Sequence, residues 1–118
     1  MENLDKEKIE KIVKTREQAN AYFSKKSEVF CSFCEFVDKT YEAGSLSVKQ
    51  KRLIAIGISV ATNCESCMEW NIKQALDNGA SEEEIIEAIE IAIEMRGAPA
   101  TAYSRFAMNV IRYYTQPE

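Results

Sequence analysis

Apolar side chains recur along most of the chain at the three- and four-residue spacing of a helix face. From Asp5 to about Phe23, the residues Ile9, Ile12, Val13 and the Tyr22-Phe23 pair stand among many Lys, Glu and Arg, which predicts an exposed amphipathic helix. A second helix is expected from Ser27 to Tyr41, with Phe30, Phe33, Cys34, Val37 and Tyr41 on one stripe and Gly44 as its stop signal. Ser47-Val-Lys-Gln50 has the form of a capping box, and the helix it opens is apolar nearly all round from Leu53 to Ala61, as in an element buried on several sides. Thr62-Asn-Cys-Glu65 offers a second capping box for a helix from about Cys64 to Asp77, ending at Asn78-Gly79 and placing Cys64 in the first turn. Ser81-Glu-Glu-Glu84 opens a fifth helix with three carboxylates at its positive end and a wide apolar face from Ile85 to Met95. Gly97-Ala98-Pro99 closes it and begins a last helix, in which Tyr103, Phe106, Ala107, Val110, Ile111 and Tyr114 share one side.

The pattern predicts an all-α, six-helix bundle forming a single domain over residues 1–118, with no repeat or linker and a first helix packed more loosely than the rest. Composition agrees: 46% of the 118 residues are apolar, and four Gly and two Pro are too few for a many-turned all-β chain. Two broadly apolar helices leave more surface than so short a chain easily covers, so a homo-oligomer is expected, a well-filled monomer being the alternative. A net charge of −4 offers no positive field for phosphate backbones, which argues against nucleic acid as a partner. The Leu53–Ala61 run is half a bilayer span, and Met1-Glu-Asn-Leu-Asp lacks a basic-then-apolar signal pattern. A cytoplasmic protein without a membrane partner is expected.

The chain contains no His, which excludes Ser-His-Asp and Cys-His nucleophile pairs, His-ligated haem and His-bearing metal sites. Four Cys remain, as Cys31-Ser-Phe-Cys34 and Cys64-Glu-Ser-Cys67. In a reducing compartment such pairs are redox groups, metal ligands or small apolar residues. A Cys at a helix start feels exposed N–H groups that favour the thiolate, and Cys67 follows one turn on, which suits a reversible disulfide. Glu65 and Glu69 oppose the anion, with Lys49, Lys51, Arg52 or Lys73 as cations that offset them. Cys31 and Cys34 read as core residues, as a second redox pair, or as half of a zinc site, although the 29 residues between the two pairs are more than a zinc ribbon uses. Trp70 and Met68 read as core or as the lining of a small apolar pocket.

From about Gly44 to Met108 the chain resembles the AhpD-like/carboxymuconolactone decarboxylase family. The resemblance rests on Gly44-Ser-Leu-Ser-Val-Lys-Gln-Lys-Arg-Leu-Ile-Ala-Ile, Asn63-Cys-Glu-Ser-Cys-Met-Glu-Trp-Asn, Asn78-Gly-Ala-Ser-Glu-Glu-Glu-Ile-Ile-Glu-Ala and Gly97-Ala-Pro. It implies an all-α fold with N-terminal helices (1–43) ahead of a C-x-x-C core (44–118), assembly into trimers or hexamers, and thiol-dependent peroxidase or disulfide reductase chemistry without a cofactor or metal. The catalytic pair would be Cys64 and Cys67, the substrate a hydroperoxide or small disulfide, and the electron donor a dithiol. Redox members of the family carry a Glu twelve residues before the first Cys and a His four residues after the second, and these positions hold Arg52 and Asn71 here. An amide cannot shuttle a proton, whereas Arg52 can favour a thiolate by charge alone. Arg52, Asn71 and Ser66 are therefore the supporting candidates. The chemistry expected is thiol–disulfide exchange with weak alkyl hydroperoxidase activity. The alternatives are a zinc-stapled or non-enzymatic oligomeric scaffold and a carboxymuconolactone decarboxylase-like lyase.

Overall fold

The computed structural model describes residues 1–116; Pro117 and Glu118, the end of the expected domain, lie outside the described residues. Six helices follow in chain order: α1 (Asn3–Lys26), α2 (Glu28–Thr40), α3 (Val48–Ala61), α4 (Glu65–Asp77), α5 (Glu82–Arg96) and α6 (Ala98–Thr115). No strand occurs among the described residues, so the fold is all-α as the spacing predicts. No helix among them is long and apolar enough to cross a membrane.

Local chemistry sets the helix starts. At α3 the Ser47 hydroxyl accepts from the Gln50 N–H (3.1 Å) while the Gln50 side chain accepts from the Ser47 N–H (2.8 Å). Ser81 and Glu84 make the same reciprocal pair at α5, at 3.1 and 2.9 Å. Each box satisfies two N–H groups that the first turn leaves without partners. The α5–α6 corner takes a single residue, Gly97, at φ 92°, a conformation that glycine adopts without steric cost.

The core is formed by α3 to α6, with Ile56 and Val60 of α3, Met68 and Ile72 of α4, Ile85 and Ile89 of α5, and Ala107 and Val110 of α6 all fully buried. Each large side chain removed from water contributes roughly 1.5–3 kcal/mol. α1 crosses α4 and α6 and buries one side chain, Ile9, against the core, so the first helix is packed more loosely than α3 to α6, as expected.

α2 departs from expectation. Its stripe is amphipathic, yet none of its residues is buried, and Val29, Phe33 and Phe36 are 81%, 57% and 64% exposed. The cause is the length of α1: 24 residues reach about 36 Å, and the exposed Tyr22 and Phe23 near its C-terminal end receive α2 beside the bundle. Phe30 stacks on Phe23 with centroids 5.4 Å apart, and the Cys31 thiol donates to Ser24 O at 3.4 Å. The far end is fastened to α3, where Lys51 Nζ donates to the carbonyls of Thr40 (2.9 Å) and Glu42 (2.6 Å). α2 stops at Thr40, with Tyr41 as its cap, before Gly44 is reached.

Candidate functional site

The site is built on the turn between α3 and α4. Asn63 adopts φ 53°, a left-handed conformation that Asn tolerates better than most residues, and reverses the chain directly after α3. Cys64 follows in extended conformation, its N–H donating to Ser59 O at 2.9 Å. It is Cys64, not Thr62, that caps α4: its sulfur accepts from the Cys67 N–H at 3.3 Å, while the Thr62 hydroxyl turns back to Ile58 O at 2.8 Å. Cys64 therefore stands just ahead of the first turn in which it was expected, and Cys67 lies within that turn. The two half-buried residues are joined by a disulfide across a Cα–Cα distance of 5.2 Å. On reduction, a thiolate at Cys64 would keep both the Cys67 N–H and the positive end of α4.

Cys67, but not Cys64, opens onto a cleft of about 460 Å³ whose walls include Tyr41, Ile54, Ile58, Ser59 and Asn71. Behind Asn71 lies Arg52. Both are buried, and Arg52 Nη1 donates to Asn71 Oδ1 at 2.9 Å. The Asn71 amide donates in turn to Cys67 O at 3.0 Å and to Ser59 Oγ at 3.5 Å. The two residues standing at the relay positions are thus coupled to each other and to the backbone of Cys67; among the described residues, neither hydrogen bonds to a sulfur. Burial pushes the Arg52 guanidinium below its ordinary value, against the favourable fields of Tyr41 and Asp38, and the Tyr41 ring lies 3.5 Å from it.

The third supporting candidate, Ser66, is not brought to this cleft. It is exposed and faces α1, bordering a separate groove with Lys8, Lys11, Arg16 and Glu65. The cations that offset the two carboxylates also differ from those expected. Lys8 pairs with Glu65 at 3.0 Å, and Arg16 pairs with Glu69. Of the expected cations, Lys49 binds Glu84 and Lys73 binds Asp77 (3.0 and 2.8 Å), Lys51 holds backbone carbonyls, and Arg52 holds Asn71.

Glu69, read from the sequence only as a charge opposing the thiolate, has a second role that the pattern did not show. It is fully buried and accepts from both Arg16 and the Tyr114 hydroxyl, joining α1 and α6 to the back of the Cys-bearing helix. Burial, and then the Glu69 carboxylate, push the Tyr114 hydroxyl above its ordinary value. The sequence carries a trace of this arrangement, because Glu69 precedes Ile72 by three residues and so sits on the core stripe. Met68 is core, whereas Trp70 lies at the surface with the Arg16 guanidinium 4.6 Å from its ring. Cys31 and Cys34 are free and half-buried on α2 rather than core. Among the described residues, no three or more His, Cys, Asp or Glu side chains gather as metal ligands, and the two Cys pairs do not come together as a four-thiolate site.

Comparison with known proteins agrees with this architecture. The chain is 40% identical over 68 residues to the uncharacterized protein 4 of the cox locus of Paracoccus denitrificans. It is 37% identical over 65 residues to an uncharacterized protein of Cupriavidus necator. The matched segments are 58% and 55% of this chain and span about three fifths of each relative, 61% and 58%. The fold superposes with a TM-score of 0.87 on a carboxymuconolactone decarboxylase family protein of Legionella pneumophila, at 26% identity, covering 92% of this chain and 98% of that one. A Thermotoga maritima member of that family, a candidate for a role in the antioxidative response, superposes at 0.81 with 28% identity, covering 88% of this chain and 89% of its own. The model of the carboxymuconolactone decarboxylase family matches residues 27–109, the segment that holds α2, the Cys64–Cys67 turn and Arg52–Asn71, and the chain belongs to that family.

Proposed function

We propose that this protein is a thiol–disulfide oxidoreductase in which Cys64 and Cys67 cycle between dithiol and disulfide, with weak hydroperoxidase activity as a side capacity. The observation that carries the reading is the turn itself, with two sulfurs bonded at a helix start, one open to a cleft and the other at the cap. Cys67 meets the incoming disulfide and displaces one half as a thiolate; Cys64 then attacks Cys67 and releases the other half. In the reverse direction Cys64 is the leaving group, and the α4 N-terminus together with the Cys67 N–H stabilises its charge. A hydroperoxide would oxidise Cys67 to a sulfenic acid and leave an alkoxide that needs a proton. Asn71 cannot supply one, which is why exchange is favoured over peroxide turnover.

Peptide mapping of the reduced protein before and after one equivalent of a small disulfide, with the remaining free thiols alkylated only afterwards, tests the reading. A Cys64–Cys67 link formed while Cys31 and Cys34 stay alkylatable supports it, and four unreactive thiols overturn it. Cys64→Ser should trap a mixed disulfide on Cys67, and Cys67→Ser should abolish turnover.

We also propose a homo-oligomer as the working form. The exposed stripe of α2 and a nearly wholly apolar groove between α3 and α5, lined on the side away from the Cys67 cleft by Leu53, Gly57, Ala88, Ile91 and Met95, leave two faces for a second copy to cover. Ile91→Asp, away from the Cys67 cleft, should shift the mass measured by light scattering to that of the monomer; an unchanged mass would refute the use of this groove.

A further inference from the structure

Arg52 is 7% exposed, yet among the described residues no carboxylate pairs with it. Its hydrogen bond to the neutral Asn71 amide leaves Nε buried without a partner. Asp38, which is exposed, acts on it only through space. A buried cation without a counter-ion is costly, and an anion that came to rest near it would offset part of that cost. Tyr41 and Asn71, which both contact Arg52, are themselves wall residues of the Cys67 cleft. Lys51 adds a second positive charge to the lining, and among the described residues no acidic side chain lines the cleft. Low-dielectric protein behind a concave wall focuses such a field into the cavity. The opposite lining is apolar, from Ile54, Ala55 and Ile58.

We propose, building on the thiol–disulfide reading, that the Cys67 cleft takes organic disulfides that carry a carboxylate. The carboxylate rests on the Tyr41–Asn71 wall over Arg52, the carbon body lies against Ile54 and Ile58, and the S–S bond reaches Cys67. Cys67 thiolate breaks that bond and forms a mixed disulfide while one half departs as a thiolate. Cys64 thiolate then displaces the second half and closes the protein disulfide. Two electrons pass from the Cys pair to the substrate, and the two released thiolates take their protons from solvent.

The test compares two aromatic disulfides of similar size, the dianion dithiobis(nitrobenzoate) and the neutral dithiodipyridine, reacting with reduced protein, with dithiothreitol as the reference thiol. Relative to that reference, the protein should favour the anionic reagent by about tenfold. Arg52→Met should lose the preference and Arg52→Lys should keep most of it. Arg52→Met slowing both reagents by one common factor would mean that Arg52 only tunes the thiolate, and would overturn the proposal. A binding measurement without redox chemistry separates the two readings: benzoate, but not benzamide, should raise the Tm of the oxidised protein, and Arg52→Met should abolish the shift. If neither reagent closes the Cys64–Cys67 bond but benzoate binds through Arg52, the redox reading falls and the anion site stands. If benzoate fails to bind, the anion site falls. Should Arg52→Met not fold, Lys51→Gln takes its place in the kinetic comparison, with partial loss of the preference expected and an unchanged ratio counting against the proposal.

Discussion

Glu69→Gln removes the charge from a carboxylate that is fully buried and held from two sides, by the Arg16 guanidinium of α1 and the Tyr114 hydroxyl of α6. Breaking a buried ion pair by neutralising one partner costs roughly 3–5 kcal/mol, because the other charge stays desolvated. Two features place this site near the lower end. Arg16 is 18% exposed and recovers some hydration, and the Gln carbonyl can still accept from Tyr114. A loss of about 3 kcal/mol is expected, which for a chain of this length lowers Tm by about 12 °C. Urea unfolding of the oxidised protein, with its slope unchanged, measures the loss directly. The double variant Arg16→Met with Glu69→Leu should recover part of it, since an apolar pair of similar volume leaves no unpaired charge although the Tyr114 hydroxyl loses its acceptor. A loss below about 1 kcal/mol for Glu69→Gln would refute the claim that Glu69 is a charge-bearing junction and reduce it to a packing residue.

Two further outcomes follow from the same geometry. The Tyr114 hydroxyl is held above its ordinary value of 10.0, so the stability that the neutral phenol contributes is complete below that pH and is lost as pH rises through the higher folded value. Tyr114→Phe should therefore flatten the alkaline fall in stability followed by circular dichroism, and should cost about 1.5–3 kcal/mol at neutral pH for the lost bond to a carboxylate. Introducing an acid and an imidazole by combining Arg52→Glu with Asn71→His should raise hydroperoxide turnover by on the order of 100-fold and, by placing a negative charge behind the cleft, abolish the preference for the anionic disulfide. Unchanged peroxide turnover in a folded variant would show that proton supply is not what limits this site.

The helices were legible because burial of one face imposes a short-range period, and the Ser47 and Ser81 boxes were legible because capping involves residues only three apart. The Cys64–Cys67 disulfide was legible for the same reason, as a pair within a single turn. The position of Cys64 was misread by a fraction of a turn. Whether Thr62 or Cys64 caps α4 depends on where Asn63 reverses the chain, and both choices satisfy the local pattern. Cys34, on the α2 stripe, was read as a core residue because amphipathicity reports that a face needs covering without reporting what covers it.

By itself the sequence determined six helices, the absence of imidazole chemistry and a Cys pair within one turn, since each depends on residue identity or on short-range spacing, while the resemblance to the family marked Arg52 and Asn71 as standing at its relay positions. Only the tertiary structure decided that Arg52 and Asn71, nineteen positions apart, meet behind the Cys67 cleft. It alone placed Ser66 on the opposite side, and set Arg16 and Tyr114, 53 and 45 positions from Glu69, against that carboxylate. Electrostatic pairing between distant helices depends on crossing geometry and on which charge is desolvated, and neither leaves a period in the chain.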